Sequence, residues 1–196
     1  TASRWRALYS NTTGTRNIAI GYGAYDAADA EDDNLAIGYD ALGGAVAGGE
    51  YNVAVGNYSL DANTSGDGNM AIGYNTLTAN TSGDYNTALG YASLGANTTA
   101  SYNTAIGWQS MLATVGAGTF NTGVGARSLE TNTTGDDNTA LGVNSMFTNS
   151  TGNENTGVGR NSLYATTGSY NTSLGWYSGN EITSGTYNTI IGHNAS

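Results

Sequence analysis

The chain offers few side chains that could carry out chemistry, and its charged residues do not form a familiar catalytic set. Its one histidine is His193, so a Ser-His-Asp triad would have to form there, and we expect a surface or packing side chain instead. The adjacent carboxylates Asp136 and Asp137 would be candidates for glycoside hydrolysis, but neighbouring acidic residues on a turn are more often solvated. The absence of Cys excludes disulfide and zinc-thiolate sites. We therefore expect no enzymatic activity.

A set of carboxylates in the first half of the chain recurs at nearly constant spacing. If the chain stacks with that period, like charges lie about 4.8 Å apart and repel unless they splay into solvent or share a cation. Carboxylates beside turn carbonyls suit calcium, so weak calcium binding and simple solvated turns both stay open, and no other cofactor is expected. The residues concerned are Asp32, Glu50, Asp67 and Asp84.

Aromatic residues recur with the same period. Aromatic rings stack on the apolar faces of sugars, and a spaced column of them predicts a track for a glycan. The alternative is that these rings pack in the core or between subunits. The candidate glycan-binding residues are Trp5, Tyr22, Tyr39, Tyr74, Tyr91, Trp108 and Trp176. A second column of the same kind comprises Tyr51, Tyr85, Tyr102, Phe120, Tyr170 and Tyr187.

The element that must position these side chains is a repeat covering the whole chain. Its marker is an Asn that returns every 16 to 18 residues, and the unit reads N-T-A-I-G-Y-x-S-L-x-x-N-T-T-G-D-Y with that Asn as position 1. In units of other lengths we count the last positions back from the next Asn. The chain is thus one array, with an incomplete unit at 1–16, full units over 17–187 and an incomplete unit at 188–196. The recurring residues are Asn17, Asn34, Asn52, Asn69, Asn86, Asn103, Asn121, Asn138, Asn155, Asn171 and Asn188.

The content of each unit favours short strands over helices. From the unit at Asn17 onward, position 5 is always Gly and position 4 is a branched aliphatic residue, and position 9 is nearly always Leu, Met or Tyr. Asn, Gly and β-branched residues are poor helix formers, so we predict strands around N-T-A-I-G and around position 9, separated by turns. One unit then forms one coil of an all-β solenoid, a parallel β-roll of about eleven coils, with the Asn amides as a ladder between coils.

Such a coil has a thin core if only positions 4 and 9 are inside. Two buried apolar side chains contribute roughly 3 to 6 kcal/mol, whereas ordering 17 residues costs on the order of 20 kcal/mol or more. Ladder hydrogen bonds must supply part of the difference, and we expect lateral association to supply more. We predict a homotrimer, in which the small residue at position 3 lets the subunits approach closely.

The units NTALGYASLGANTT (86–99) and NTAIGWQSM (103–111) resemble the head repeats of YadA-like trimeric autotransporter adhesins. They resemble more closely the N-T-A-I-G-Y-x-A-L-x-x-N-T-T-G arrays of phage tail-fibre and bacterial surface proteins. The resemblance covers the whole chain. It implies a left-handed parallel β-roll, a homotrimer, and a stalk or head in surface attachment, outside the cell on a virion tail fibre or a bacterial surface.

Charge and composition limit the partners. A net charge of −10 disfavours nucleic acid and anionic membranes, and no segment has the roughly 20 apolar residues of a membrane span. We expect a structural and adhesive fibre segment that attaches to cell-surface glycan or protein. Two alternatives stay open, a glycan-degrading tailspike domain and an ice-binding solenoid. The second rests on Thr at position 2 from Thr87 to Thr189, although Ile18, Leu35, Val53 and Met70 interrupt that array.

Overall fold

A computed structural model of the chain describes residues 5–27, 30–44 and 49–196. Over these residues the protein is all-β, and it has no helix that could cross a membrane. Each coil contributes one three-residue strand, and the strands form one sheet in chain order. They are β1 (Ile18–Ile20), β2 (Leu35–Ile37), β3 (Val53–Val55), β4 (Met70–Ile72), β5 (Thr87–Leu89), β6 (Thr104–Ile106), β7 (Thr122–Val124), β8 (Thr139–Leu141), β9 (Thr156–Val158), β10 (Thr172–Leu174) and β11 (Thr189–Ile191).

The strands pair in parallel, and the repeat sets their register. Each residue lies beside the residue at the same position of the next unit, as in the pairs Thr87 with Thr104 and Leu89 with Ile106. One repeat is therefore one coil, and the chain forms a parallel β-solenoid of about ten turns of roughly 17 residues. The predicted β-solenoid is confirmed.

The predicted second strand around position 9 is wrong. Leu60, Leu77 and Leu94 occupy this position with φ values of 51°, 50° and 48°, so the backbone turns there instead of extending. Its N–H groups still bond to the next coil, as Leu77 N does to Ser93 O at 3.1 Å. The side chains at position 9 point inward and are fully buried from Tyr25 to Leu163. The turn thus supplies the large core residue that the sequence pattern suggested for a strand.

The prediction that position 4 fills the core is also wrong, because position 3 does so. Ala88 and Ala105 are fully buried, whereas Leu89 is 43% exposed. The interior beside the strand is narrow: a Cβ built on Gly123, also at position 3, would lie 2.8 Å from Ser110 Oγ and 3.0 Å from Met111 Cγ. Small residues at position 3 therefore fit the interior of the coil, and the prediction that they admit a neighbouring subunit is wrong.

The Gly at position 5 marks the corner where the strand ends. Gly107 has a φ of +136°, a backbone conformation that residues other than Gly rarely adopt. A Cβ built there would lie 2.6 Å from the carbonyl oxygen of Gly125 in the next coil. Position 5 is Gly in every unit from Gly21 to Gly192 because the coils approach each other closely, backbone to backbone, at this corner.

We predict that Gly107→Ala lowers the free energy of unfolding by at least about 3 kcal/mol, from backbone strain and the clash with Gly125. Gly95→Ala is the matched control, because its φ lies outside the left-handed region and its closest new contact is Leu112 Cδ1 at 3.1 Å. The control should change stability by less than about 1 kcal/mol. Equal melting temperatures for the two variants would refute the close approach at position 5.

Candidate functional site

The recurring Asn at position 1 forms a side-chain ladder inside the solenoid. Asn103 is fully buried, and its Oδ1 accepts a hydrogen bond from the backbone N–H of Asn121 at 2.9 Å. Its Nδ2 donates to Gly118 O at 2.8 Å, just before the next Asn. The same N–H to Oδ1 bond joins every successive pair from Asn17 to Asn188. The ladder therefore fixes the spacing and the rotation of each coil.

A second buried Asn column, at position 12, was not predicted as a ladder. Asn63 Nδ2 donates to Gly66 O at 3.0 Å, and Asn63 Oδ1 accepts from Gly66 N at 3.2 Å and from Asn80 Nδ2 at 3.1 Å. The N-T-T-G and N-T-S-G strings were the signal, since Asn commonly closes such turns onto its own backbone. These strings match N-glycosylation sequons, but Asn63 and Asn80 are fully buried and cannot accept a glycan in the folded protein.

The acidic column at position 16 belongs to another ladder. Asp67 Oδ1 accepts from Glu50 N at 2.8 Å, Asp84 Oδ1 accepts from Asp67 N at 2.9 Å, and Ser101 Oγ accepts from Asp84 N at 2.9 Å. A short side chain with an oxygen is the common requirement, and Ser meets it as well as Asp does. No group of three or more Asp, Glu or His side chains is placed to hold a metal in residues 5–27, 30–44 and 49–196. Weak calcium binding here stays a prediction.

The first member of this column is the most strongly held carboxylate. Asp32 Oδ1 accepts from both the backbone N–H and the hydroxyl of Thr15, at 2.5 and 2.8 Å. These hydrogen bonds, with a smaller effect from Arg16, hold the pKa of Asp32 below its ordinary value. A hydrogen bond from Arg16 likewise lowers the pKa of Asp33. Both carboxylates are therefore favoured in their ionised form by the fold.

The predicted aromatic column at position 6 lies on the surface and not in the core of the chain. Its members are between 37% and 66% exposed, namely Trp5, Tyr22, Tyr39, Tyr74, Tyr91, Trp108 and Trp176. Five of the seven form one continuous series of ring contacts, which we call the aromatic stack. Tyr58 from position 7 fills the gap at Asn57 and meets Tyr39 and Tyr74 edge-on. The centroid separations in the stack are 5.7 Å for Trp5–Tyr22, 5.2 Å for Tyr22–Tyr39, 5.4 Å for Tyr39–Tyr58, 5.9 Å for Tyr58–Tyr74 and 5.6 Å for Tyr74–Tyr91.

The two remaining members stand apart from this stack. Trp176 stacks on His193 with centroids 4.7 Å apart and meets the ring of Tyr177 edge-on at 4.4 Å. Trp108 stacks on no other ring in the described part of the chain, although Tyr91 precedes it by one coil. The structure thus divides the predicted glycan track into a stack, a Trp-His pair and a single Trp.

The second aromatic column, at position 17, is exposed as well. One group stacks Tyr85 on Tyr102 at 5.3 Å and Tyr102 on Phe120 at 5.2 Å. Tyr170 and Tyr187 form a separate pair at 4.7 Å. Stacking along the axis is therefore common among the aromatic side chains of this solenoid, since neighbouring coils bring equivalent rings within reach of each other.

Comparison with known proteins gives no further guide to these surfaces: no family model, curated protein or solved structure matches the chain. The exposed columns are therefore the features of the chain that indicate its function.

We predict that Asn103→Ala lowers the free energy of unfolding by about 2 to 4 kcal/mol, because it leaves the buried Asn121 N–H and Gly118 C=O without their partners. Asn57→Ala is the control. Its Oδ1 also accepts from a backbone N–H, that of Tyr39 at 3.0 Å, but at the surface, where water can replace it. Chemical denaturation of both variants is the measurement, and equal losses would show that burial of the ladder is not what makes it stabilising.

A pH dependence follows from the lowered pKa of Asp32. A depressed pKa in the folded state stabilises the protein above the unfolded pKa of about 3.9, and this contribution disappears as the pH falls through the folded value. We expect wild type to melt at most a few degrees above Asp32→Asn at pH 7, because the carboxylate is exposed. The difference should vanish near pH 2. Melting curves across this range test it, and a difference independent of pH would contradict the assignment.

Proposed function

We propose that the chain is a stiff segment of a homotrimeric attachment fibre, of the kind built into phage tail fibres or bacterial surface adhesins. The observation that carries this proposal is the unbroken column of aliphatic side chains at position 4 on the outer face of the sheet. Ile20, Leu89, Leu141, Leu174 and Ile191 are 39% to 69% exposed in the single chain. A continuous apolar stripe of this length on a soluble protein is typical of an interaction surface.

The energy available from this stripe is of the size that subunit association needs. Covering a half-exposed aliphatic side chain contributes about 1 kcal/mol, and six of the eleven position-4 side chains are less exposed than that, so the stripe contributes roughly 5 to 10 kcal/mol per subunit. Association itself costs about 4 to 15 kcal/mol, and position 2 adds four more aliphatic side chains in β1 to β4. Subunits that meet through their sheet faces therefore bury the aliphatic side chains that the single solenoid leaves exposed. The number three follows from the resemblance to trimeric adhesins.

The shape and charge of the solenoid suit reach and display. A stack of coils with side-chain ladders along its length is stiff, and its net charge of −10 keeps it soluble and away from anionic surfaces. Neutral glycans and proteins on a cell surface are the partners that such a surface favours. In this proposal the protein acts outside the cell, and its exposed columns and turns make the contacts.

The Thr column supports a second candidate function, ice binding. Thr87 to Thr189 lie at position 2 of β5 to β11 in exact parallel register on the outer face. The neighbouring position 4 is aliphatic throughout, and β1 to β4 lack the Thr, so the array covers part of one face. Measurement of thermal hysteresis tests this candidate, and a glycan hydrolysis assay tests the tailspike alternative.

We predict that wild type is a trimer in solution and that Leu89→Asp dissociates it, since a carboxylate in the apolar face would have to be desolvated. Ser82→Asp is the control, because Ser82 is exposed in a turn outside the strands. Native mass spectrometry should give a trimer for wild type and the control and monomers for Leu89→Asp. A cooperatively folded wild-type monomer would overturn the proposal, as would a trimer that tolerates Leu89→Asp.

A further inference from the structure

Most rings of the position-6 column have at least one face covered by a neighbouring ring. Trp5, Tyr22 and Tyr39 stack with interplanar angles of 30° and 7°, and Tyr74 lies on Tyr91 at 8°. A pyranose binds an aromatic side chain through contact between its C–H groups and the ring face. The stack therefore presents mainly ring edges to solvent, and its role is to stabilise neighbouring coils.

Trp108 is the exception in this column. Its side chain is 49% exposed, and the next members of the column are the small Ala126 and then Val143. Arg127 follows directly in the next coil, and its backbone N–H donates to Trp108 O at 2.9 Å. Its guanidinium turns away, however, to bond to Glu130 and to lie 4.5 Å over the ring of Phe147. The indole is thus covered neither by a ring nor by this cation.

The indole and the next residue in the chain, Gln109, both carry polar groups that a ligand can use. In the described part of the chain, neither the Trp108 Nε1–H nor the side-chain amide of Gln109 has a hydrogen-bond partner. Together they offer two kinds of donor and one acceptor to hydroxyl groups. Arg127, whose backbone bonds to Trp108, has its charge neutralised by an ion pair with Glu130. The surroundings therefore favour an uncharged, hydroxyl-rich ligand with one apolar face.

We propose that Trp108 and Gln109 form a binding subsite for a neutral hexopyranose, with the C–H face of the sugar on the indole and its hydroxyl groups bonded to Nε1 and the Gln109 amide. This inference rests on the proposed attachment function, for which it names a ligand class and a place. The subsite depends on the step from Trp108 to the small Ala126 in the next coil, because the aromatic column stops there and resumes only at Trp176.

In the experiment, the full-length chain is titrated with methyl β-galactoside, methyl β-glucoside and a panel of neutral oligosaccharides, and calorimetry measures the heat of binding. Trp108→Ala should weaken binding at least about tenfold and Gln109→Ala by a smaller factor, whereas Trp176→Ala, whose indole is stacked on His193, should bind as wild type does. An Ala126→Tyr variant, which places a new aromatic ring in the coil next to Trp108, should also lose binding while keeping the fold.

Native mass and melting temperature are measured on the same samples, so that loss of the fold is not mistaken for loss of the subsite. A wild-type trimer that binds none of the sugars overturns the subsite and leaves the fibre proposal standing. Equal binding by wild type and Trp108→Ala overturns it too. A wild-type monomer overturns the fibre proposal, whatever the sugar titration gives.

Discussion

The buried Asn ladder at position 1 is the interaction on which the rest of the structure depends. Each coil on its own is poorly stable: its apolar interior is little more than Ala at position 3 and Leu or Met at position 9. Residues other than Gly adopt left-handed φ values at positions 7, 9 and 17, at about 1 kcal/mol or more each. The Oδ1 of each ladder Asn is satisfied by the backbone N–H of the Asn in the next coil. Stability therefore belongs to pairs of neighbouring coils, and the array folds as a stack or not at all.

The same ladder determines what reaches the surface. Since it holds the coils in strict register, every outward position becomes a column along the axis: aliphatic at position 4, aromatic at positions 6 and 17, and Thr at position 2 in β5 to β11. Equivalent side chains in neighbouring coils contact each other within a column, as the stacked Tyr rings do. Binding to other molecules is then expected where a column changes, as from Trp108 to Ala126, or where a column cannot cover itself, as with the aliphatic side chains.

The spacing of the Asn and Gly residues was sufficient to predict the solenoid, its period and its register. It was not sufficient to predict which strand residues point inward. Ala105 and Ile106 are both apolar, and a three-residue strand carries too little alternation to decide between them; the narrow interior decides, by admitting only the smaller side chain. Nor does Leu94 signal a left-handed turn, since Leu has no preference for that conformation. Tyr58, at position 7, takes part in the aromatic stack of position 6, and an alignment of equivalent positions does not predict this contact.

The central claim is that each repeat advances the chain by one strand spacing. It is tested most directly by the distance between two spin labels on the outer face. The chain has no Cys, so labels can be attached to Thr87→Cys and Thr189→Cys in one chain, diluted with unlabelled chain to suppress signals between subunits. The two sites are six coils apart, and pulsed electron paramagnetic resonance should give a narrow distribution centred at about 29 Å, within the reach of the label linkers. A broad distribution, or a centre displaced by more than two coil spacings, would contradict the one-repeat, one-coil structure.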